Sequence, residues 1–179
     1  MIQHPWHEVE PCWDKKESTV RGLIEISKSS KAKYEVDKSS GLLRLDRVVF
    51  AAFVYPINYG FIPQSLGDDE DPLDILVLSE VSIQPMCLVD TRVIGFMEMM
   101  DQGQQDEKII AVANGDMSVA HIQSLDELPD NFKSELKHFF QNYKVLMNKE
   151  VVVEQFRGKD EAAAVIEKSF VNYRNKFGK

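Results

Sequence analysis

The hydrophobic pattern of this chain changes its period once, near Asp126, and that change limits the fold more than any other feature. Before Asp126, short apolar segments alternate with turn residues at the spacing that is typical of a small β-barrel or β-sandwich. Alternating or continuous hydrophobicity predicts about five or six strands in this part of the chain. The predicted strands cover residues 22–26, 33–37, 42–45, 73–78, 91–97 and 108–112.

After Asp126 the apolar residues recur every three or four positions, which is typical of one face of a helix. The first such stripe covers residues 132–147, with Asp130 as the predicted N-cap and Lys144 and Lys149 near the C-terminal end, where the helix dipole favours cations. A second helix is predicted over 160–177. The chain is therefore expected to be an α+β protein, mainly β, with C-terminal helices.

Length and charge narrow the class of protein. The 179 residues suit a single domain, which we predict over 1–179 with residues 1–20 as an N-terminal extension. Lys and Arg number 21 against 29 Asp and Glu, and a net charge of −8 argues against a partner with a phosphate backbone. The longest apolar run, 48–57, is too short to cross a bilayer. We expect no nucleic-acid and no membrane partner.

Two further features indicate a cytoplasmic protein. The first eight residues carry neither a basic nor an apolar leader segment, so we expect no secretory signal. The cysteines are Cys12 and Cys87, which lack the spacing of a metal site and are expected to be reduced thiols.

The densest chemical signal is the acidic segment 68–74, in which five of seven residues are Asp or Glu. So many carboxylates ionise side by side only where solvent or cations relieve their repulsion. Asp74 opens a buried strand, so the segment is not fully solvated, and hard divalent cations would relieve the strain. An EF-hand loop is rejected, because counting from Asp69 puts Asp74 where that loop needs a glycine.

A second acidic turn lies between Asp101 and Asp106. If a strand resumes at Asp106, then Asp106 and Lys108 point to one face, and a salt bridge between them is one interpretation. The other is a cation site shared with the first acidic segment. Cationic and phenolic side chains elsewhere would supply donors for the oxygens of a phosphate substrate. These are Lys33, Arg47, Tyr55, Tyr59, Tyr143 and Lys144.

The segment Asp69-Glu70-Asp71-Pro72-Leu73-Asp74-Ile75 resembles the signature of the family I soluble inorganic pyrophosphatases, and five further segments resemble this family in the same order. These are 33–38, 46–47, 55–63, 101–108 and 138–144. The opening His4-Pro5-Trp6-His7 is similar to the plant-type branch and its bacterial relatives. The resemblance implies an OB-like five-stranded β-barrel with flanking helices, a cytosolic homo-oligomeric enzyme, and Mg²⁺-dependent hydrolysis of pyrophosphate by a metal-activated water.

The resemblance also implies a role for each matched residue. Asp69, Asp74 and Asp106 would bind the activating metal pair, and Asp101 would join Asp106 on the metals that arrive with substrate. Asp71 would be the base that helps to deprotonate the metal-bound water. Several Mg²⁺ ions per site are expected, and Mn²⁺ or Zn²⁺ would also accept carboxylate oxygen. The phosphate-binding residues would be Lys33, Arg47, Tyr59, Lys108, Tyr143 and Lys144, supported by Glu25, Glu35 and Tyr55.

Two positions depart from the common pattern of the family. Glu70 stands where a small or amide residue is usual, which concerns the shape of the loop more than its chemistry. Gln102 stands at a position that is often acidic in the family, and in this departure the chain resembles the plant-type branch.

Three alternatives stay open from the sequence. A non-catalytic OB-type binding module would carry exposed aromatic residues on a basic groove. A metal-dependent phosphohydrolase would act on a larger ester such as a nucleotide. An inactive relative would keep the fold without the activity.

Overall fold

The computed structural model describes residues 4–178, so residues 1–3 and 179 of the predicted domain lie outside it. Within the described range the chain forms nine β-strands and two α-helices. In chain order they are β1 (Thr19–Ile26), β2 (Ala32–Val36), β3 (Leu43–Val48), β4 (Asn58–Phe61), β5 (Asp74–Leu78), β6 (Leu88–Asp101), β7 (Gln104–Gln105), β8 (Lys108–Ala113), α1 (Asp130–Asn142), β9 (Val151–Gly158) and α2 (Lys159–Phe177).

Five strands of the described chain close into a ring. β1 pairs with β4, β4 with β5 and β5 with β8, and β8 pairs with β6, which returns to β1. The β5–β8 pair is parallel and the others are antiparallel. Closure removes the open sheet edges that would otherwise invite pairing with other chains. This is the OB-like barrel with flanking helices that the resemblance implied.

β6 is long enough to serve several partners. Its first residues pair with β1, its middle with β8, and its last residues with β9 and β7. The register shifts around Ile94, next to Gly95. A Cβ at Gly95 would lie 2.4 Å from the carbonyl oxygen of Arg157, so the close approach of β9 requires a glycine there.

The parallel pair β5–β8 is buried on both faces, which explains its continuous apolar sequence. Ile75 and Ile109 belong to a cluster that contains Ile166 of α2. The alternate residues Leu76 and Ile110 belong to a second cluster that contains Phe140 of α1. Each helix therefore covers side chains from a different face of the same two strands.

The N-terminal segment packs on a third cluster. Trp6 is buried together with Leu23 of β1, Phe61 of β4, Leu66 and Tyr173 of α2. The segment thus joins the barrel to the C-terminal helix instead of extending away from the body of the protein.

The structure adds three strands that the sequence did not predict, the two-residue β7, β4 and β9. β4 begins at Asn58, and its four residues are too short to show an alternating pattern. β9 was included in the helical half of the chain. It alternates, with Val151 and Val153 buried, but its pairing with β6 is what makes it a strand. The third predicted strand, 42–45, continues to Val48.

The prediction for the ends of α1 was wrong. Pro129 is the N-cap residue, and Asp130 is the first helical residue, pairing with Lys133 at 3.3 Å instead of capping. The helix ends at Asn142 and is followed by a single 3₁₀ turn, Val145–Met147. Leu146 is 70% exposed, so the apolar stripe does not continue, and the last turn of the helix carries no basic residue.

α2 agrees with the predicted helix 160–177 to within one residue. Its buried face includes Ile166, Phe170 and Tyr173. Among residues 4–178, no helix is both long and apolar enough to cross a membrane.

Candidate active site

A cavity of about 270 Å³ opens at one end of the barrel. Its wall combines the acidic loop between β4 and β5, the ends of β6 and β8, the β2–β3 hairpin and the residues that follow α1. Predicted site residues in this wall are Glu25, Lys33, Glu35, Tyr59, Asp69, Asp71, Asp74, Asp101, Asp106, Lys108, Tyr143 and Lys144.

Lys108 lines the cavity and is almost fully buried. Its ammonium contacts Asp74 at 2.5 Å and Asp106 at 2.7 Å, and lies 5.5 Å from the centre of the Tyr59 ring. Burial alone disfavours the ammonium, but the two carboxylates outweigh it and raise the pKa of Lys108 above its usual value. The ion pair between Asp106 and Lys108, one of the two interpretations of this turn, is therefore present.

Asp74 stands where β5 begins and is held from two sides. The Tyr59 hydroxyl donates a hydrogen bond of 2.5 Å to its carboxylate, and Lys108 contacts the same oxygen. Burial raises the pKa of Asp74, and the ammonium of Lys108 partly offsets this effect. Asp74 and Asp106 are thus brought together, although 32 positions separate them, because β5 and β8 are parallel neighbours.

The loop that carries Asp69 and Asp71 is a tight backbone turn. The Gly67 amide donates to the Asp71 carbonyl at 2.7 Å, and the Asp71 amide donates to the Asp69 carboxylate at 3.1 Å. Burial raises the pKa of Asp69 to about 6. A Cβ at Gly67 would lie 2.8 Å from the Asp69 carboxylate, so this turn is compact around Asp69.

The cations of the cavity are paired with acids. Lys33 contacts Glu35 and lies 3.3 Å from Asp46, and Arg47 lies 3.5 Å from the same Asp46 oxygen. Lys144, which follows α1, pairs with Asp101. That contact explains why Lys144 does not act at the end of α1, as the sequence analysis expected.

Burial keeps the phenols around the cavity protonated. Burial raises the pKa of Tyr143 to about 12, and its ring stacks on Phe139 with centroids 4.9 Å apart. Tyr55 is buried, with its ring centroid 6.3 Å from that of Tyr143, and does not line the cavity. Burial raises the pKa of Glu25 to about 8, and its carboxylate accepts a hydrogen bond of 2.6 Å from the Val36 amide.

The cavity wall differs from the predicted set at seven positions. Arg47 and Tyr55 do not line the cavity. The lining residues that were not predicted are Trp6, Val36, Lys38, Phe61 and Pro72. Lys38 belongs to the motif 33–38, so a signal for it was present in the sequence. For Trp6 the only signal in the sequence was its place in the motif His4-Pro5-Trp6-His7.

The donor set suits a hard divalent cation. In the described residues seven carboxylates but only four lysines line the cavity, which leaves an excess of negative charge in a partly buried space. No three of the potential ligand groups in residues 4–178 converge as a ready-made metal site. Lys108 and Lys144 contact Asp74, Asp106 and Asp101 and hold these carboxylates in their present positions. The residues fit metal ions that compete with these two ammonium groups.

The closed barrel and the mixture of acids and lysines in its cavity are typical of an enzyme that uses divalent cations to act on an anionic substrate. Comparison with known proteins leads to the same class of enzyme. The model of the family described as inorganic pyrophosphatase matches residues 22–174. Soluble inorganic pyrophosphatase 2 of Chlamydomonas reinhardtii is 42% identical over 97% of this chain and 90% of its own length. Soluble inorganic pyrophosphatase 5 of Arabidopsis thaliana is 46% identical over 86% of this chain and 70% of its own length.

Solved structures show the same fold. The inorganic pyrophosphatase from Helicobacter pylori is 41% identical, with a TM-score of 0.88 over 93% of this chain and 99% of that one. The enzyme from Thermus thermophilus is 38% identical, with a TM-score of 0.87 over 92% and 97%. The chain therefore belongs to the family of soluble inorganic pyrophosphatases, which are metal-dependent hydrolases.

Proposed function

We propose that this chain hydrolyses inorganic pyrophosphate to two orthophosphate ions with the help of Mg²⁺. One observation carries the proposal. One cavity of about 270 Å³ is lined both by carboxylates that suit divalent cations and by lysines and phenols that suit phosphate oxygens. A tetra-anionic substrate needs both sets of groups at once.

The carboxylates of the cavity would bind two sets of metal ions. Asp69, Asp74 and Asp106 would hold one pair of Mg²⁺ ions, and Asp101 with Asp106 would hold the ions that accompany the substrate. When bound, divalent cations neutralise the charge of pyrophosphate and lower the pKa of the water that they coordinate. Mn²⁺ and Zn²⁺ are further candidates because they also accept carboxylate oxygen.

Asp71 is the proposed general base. It lies at the tip of the acidic loop, on the cavity wall, and its carboxylate is half exposed. A carboxylate in this place accepts a proton from the attacking water if the two come within hydrogen-bond distance.

The lysines, the arginine and the phenols around the cavity would orient the substrate. Lys33, Lys108 and Lys144 would exchange their present carboxylate partners for phosphate oxygens, which carry more negative charge. Arg47, which lies beside the cavity, would add a planar pair of donors. Tyr59 and Tyr143 would donate hydroxyl protons. Holding both phosphates fixed favours in-line displacement. Glu25, Glu35 and Tyr55 would support these groups.

Replacing the base gives the direct test. Asp71→Asn preserves the shape of the side chain but removes its ability to accept a proton, so kcat should fall by about 10²–10⁴. Orthophosphate release with Mg²⁺ and pyrophosphate measures this loss, and the melting temperature reports the fold. Asp126→Asn, an exposed acid far from the cavity lining, is the control and should keep full activity. A variant at Asp71 with unchanged turnover would remove the base role.

A larger phosphate ester is the second candidate substrate. Comparing phosphate release from pyrophosphate, ATP and a phosphomonoester separates the two. We expect pyrophosphate to be strongly preferred, because the cavity is small beside the 300–1,000 Å³ that is typical of sites for drug-sized ligands. Equal rates on ATP would favour the second candidate.

Assembly and compartment are inferred from the surface. We infer a homo-oligomer, because exposed apolar side chains cluster on the β2–β3 hairpin and the loop after it, including Leu45, Val48 and Phe50. Light scattering that gives the monomer mass would refute this.

Two free, exposed cysteines favour the reducing cytoplasm, and fractionation tests that inference. We also infer a single domain over 1–179, which limited proteolysis tests.

A further inference from the structure

One lysine of the cavity wall has no part in the proposed reaction. Lys38, in the turn between β2 and β3, pairs through its ammonium with oxygen Oδ1 of Asp71. No hydrogen bond or ion pair within residues 4–178 involves the other carboxylate oxygen, Oδ2. An ammonium on one oxygen restricts rotation of the carboxylate and leaves the second oxygen able to accept a proton.

The N-terminal segment holds Lys38 in place. His4 Nε2 donates a hydrogen bond of 3.2 Å to the carbonyl oxygen of Lys38, and the Lys38 ammonium lies 6.0 Å from the centre of the Trp6 ring. On the other side, the Asp37 carbonyl accepts a hydrogen bond of 2.8 Å from the Gly41 amide, which tightens the turn. The backbone of Lys38 is therefore fixed from both directions.

Trp6 also holds the loop that carries Asp71. The indole nitrogen of Trp6 donates a hydrogen bond of 2.8 Å to the Ser65 carbonyl, and the Gln64 amide donates one of 2.8 Å to the Trp6 carbonyl. The ring is buried against Phe177, with centroids 5.3 Å apart. One buried side chain thus ties the turn with Lys38 to the loop with Asp71.

We propose that Lys38 is a positioning residue for Asp71 and that the segment His4–Trp6 supports it. The proposal rests on the base role of Asp71. Both side chains of the ion pair are more than half exposed, 57% for Lys38 and 52% for Asp71, so the pair adds little to stability. Its effect is expected in turnover.

Three variants test the proposal by steady-state kinetics at saturating Mg²⁺. Lys38→Met should lower kcat about tenfold and change the KM for pyrophosphate less than about twofold, because it removes orientation and not a substrate contact. Lys38→Arg retains the charge and should recover most of the activity. Lys15→Met is the matched control, since Lys15 makes a similarly exposed pair with Glu167 at 2.9 Å away from the cavity lining, and it should behave as the wild type.

The outcomes separate the alternatives. Unchanged kcat in Lys38→Met, or a raised KM with unchanged kcat, would overturn the proposal. In the Asp71→Asn background Lys38→Met should cause no further loss, and a further tenfold loss there would show that Lys38 acts without Asp71. If Asp71→Asn itself retains full activity, the base role fails instead.

The supporting segment is tested separately. His4→Ala removes the hydrogen bond to Lys38 while Trp6 stays buried, and kcat should fall about two- to threefold with the KM preserved. His121→Ala, an exposed histidine, is the control. A fall in kcat that is equal in both variants would overturn the supporting role.

Discussion

At the scale of single residues, the two positions that depart from the family pattern share a backbone property. Glu70 has φ 68° and Gln102 has φ 51°, in the left-handed region that favours Gly and Asn. Gln102 and Gly103, with φ 85°, form the two-residue loop between β6 and β7, a position that requires positive φ. The preference for a small or amide residue at position 70 therefore has a steric reason.

Glu70→Gly should stabilise the protein. A non-glycine residue in the left-handed region costs on the order of 1–3 kcal/mol of stability, which Glu70→Gly would recover. The greater flexibility of glycine in the unfolded chain offsets about 0.5–1 kcal/mol of this gain. We expect a net increase of about 1 kcal/mol in the free energy of unfolding, measured by urea denaturation. The pair of Glu70 with Lys176 at 3.3 Å is highly exposed, so its loss matters little.

Glu70→Ala is the matched control, since it removes the same carboxylate but keeps the Cβ. It should give no such gain. Equal stability of the Gly and Ala variants would mean that the backbone at position 70 is not strained.

At the scale of elements, barrel closure depends on how closely β1 approaches β4. Gly60 of β4 pairs with Ile24 of β1, and a Cβ at Gly60 would lie 1.9 Å from the carbonyl oxygen of Leu23. That atom belongs to the backbone of the neighbouring strand and cannot rotate away. The sequence motif around Tyr59 thus contains a packing requirement beside its candidate ligand.

Gly60→Ala should therefore destabilise the protein by more than about 3 kcal/mol, because two strands of the closed ring must separate. Thermal unfolding followed by circular dichroism measures the loss. Gly115→Ala adds the same methyl group where no atom lies within 4 Å, and it should leave the melting temperature nearly unchanged. A small effect at both positions would show that β1 and β4 adapt more easily than their spacing indicates.

At the scale of the whole molecule, the net charge of −8 and the excess of carboxylates in the cavity lead us to expect that divalent cations stabilise the folded protein. An ion that binds only the folded state stabilises it by mass action, by about 2.7 kcal/mol at 100 times its Kd. For a chain of this size we expect Mg²⁺ to raise the melting temperature by roughly 5–10 °C. EDTA should abolish both the increase and the activity.

The ligand variants locate this effect. Asp74→Asn should reduce the increase in melting temperature, whereas Asp130→Asn, an exposed acid on α1, should retain it. If Asp74→Asn responds to Mg²⁺ as the wild type does, the stabilising ions bind elsewhere.

Much of the fold was predictable from local pattern. β5, β8 and α2 were found within one or two residues of their bounds, because burial on one or both faces leaves a clear periodicity or a continuous apolar run. β4 and β9 were missed, since a short strand and an edge strand are determined by the partner with which they pair. The end of α1 was misplaced, because the apolar residues continue to Met147 although the helix ends at Asn142.

The sequence by itself determined the residue types of the site and their order along the chain, since the motifs are local. Only the tertiary structure decided which side chains meet. The ion pair of Lys108 with Asp74 depends on parallel pairing of β5 and β8, and the contact of Lys38 with Asp71 depends on a buried tryptophan from the N-terminus. Such contacts join distant parts of the chain through desolvation and charge, which no local pattern records.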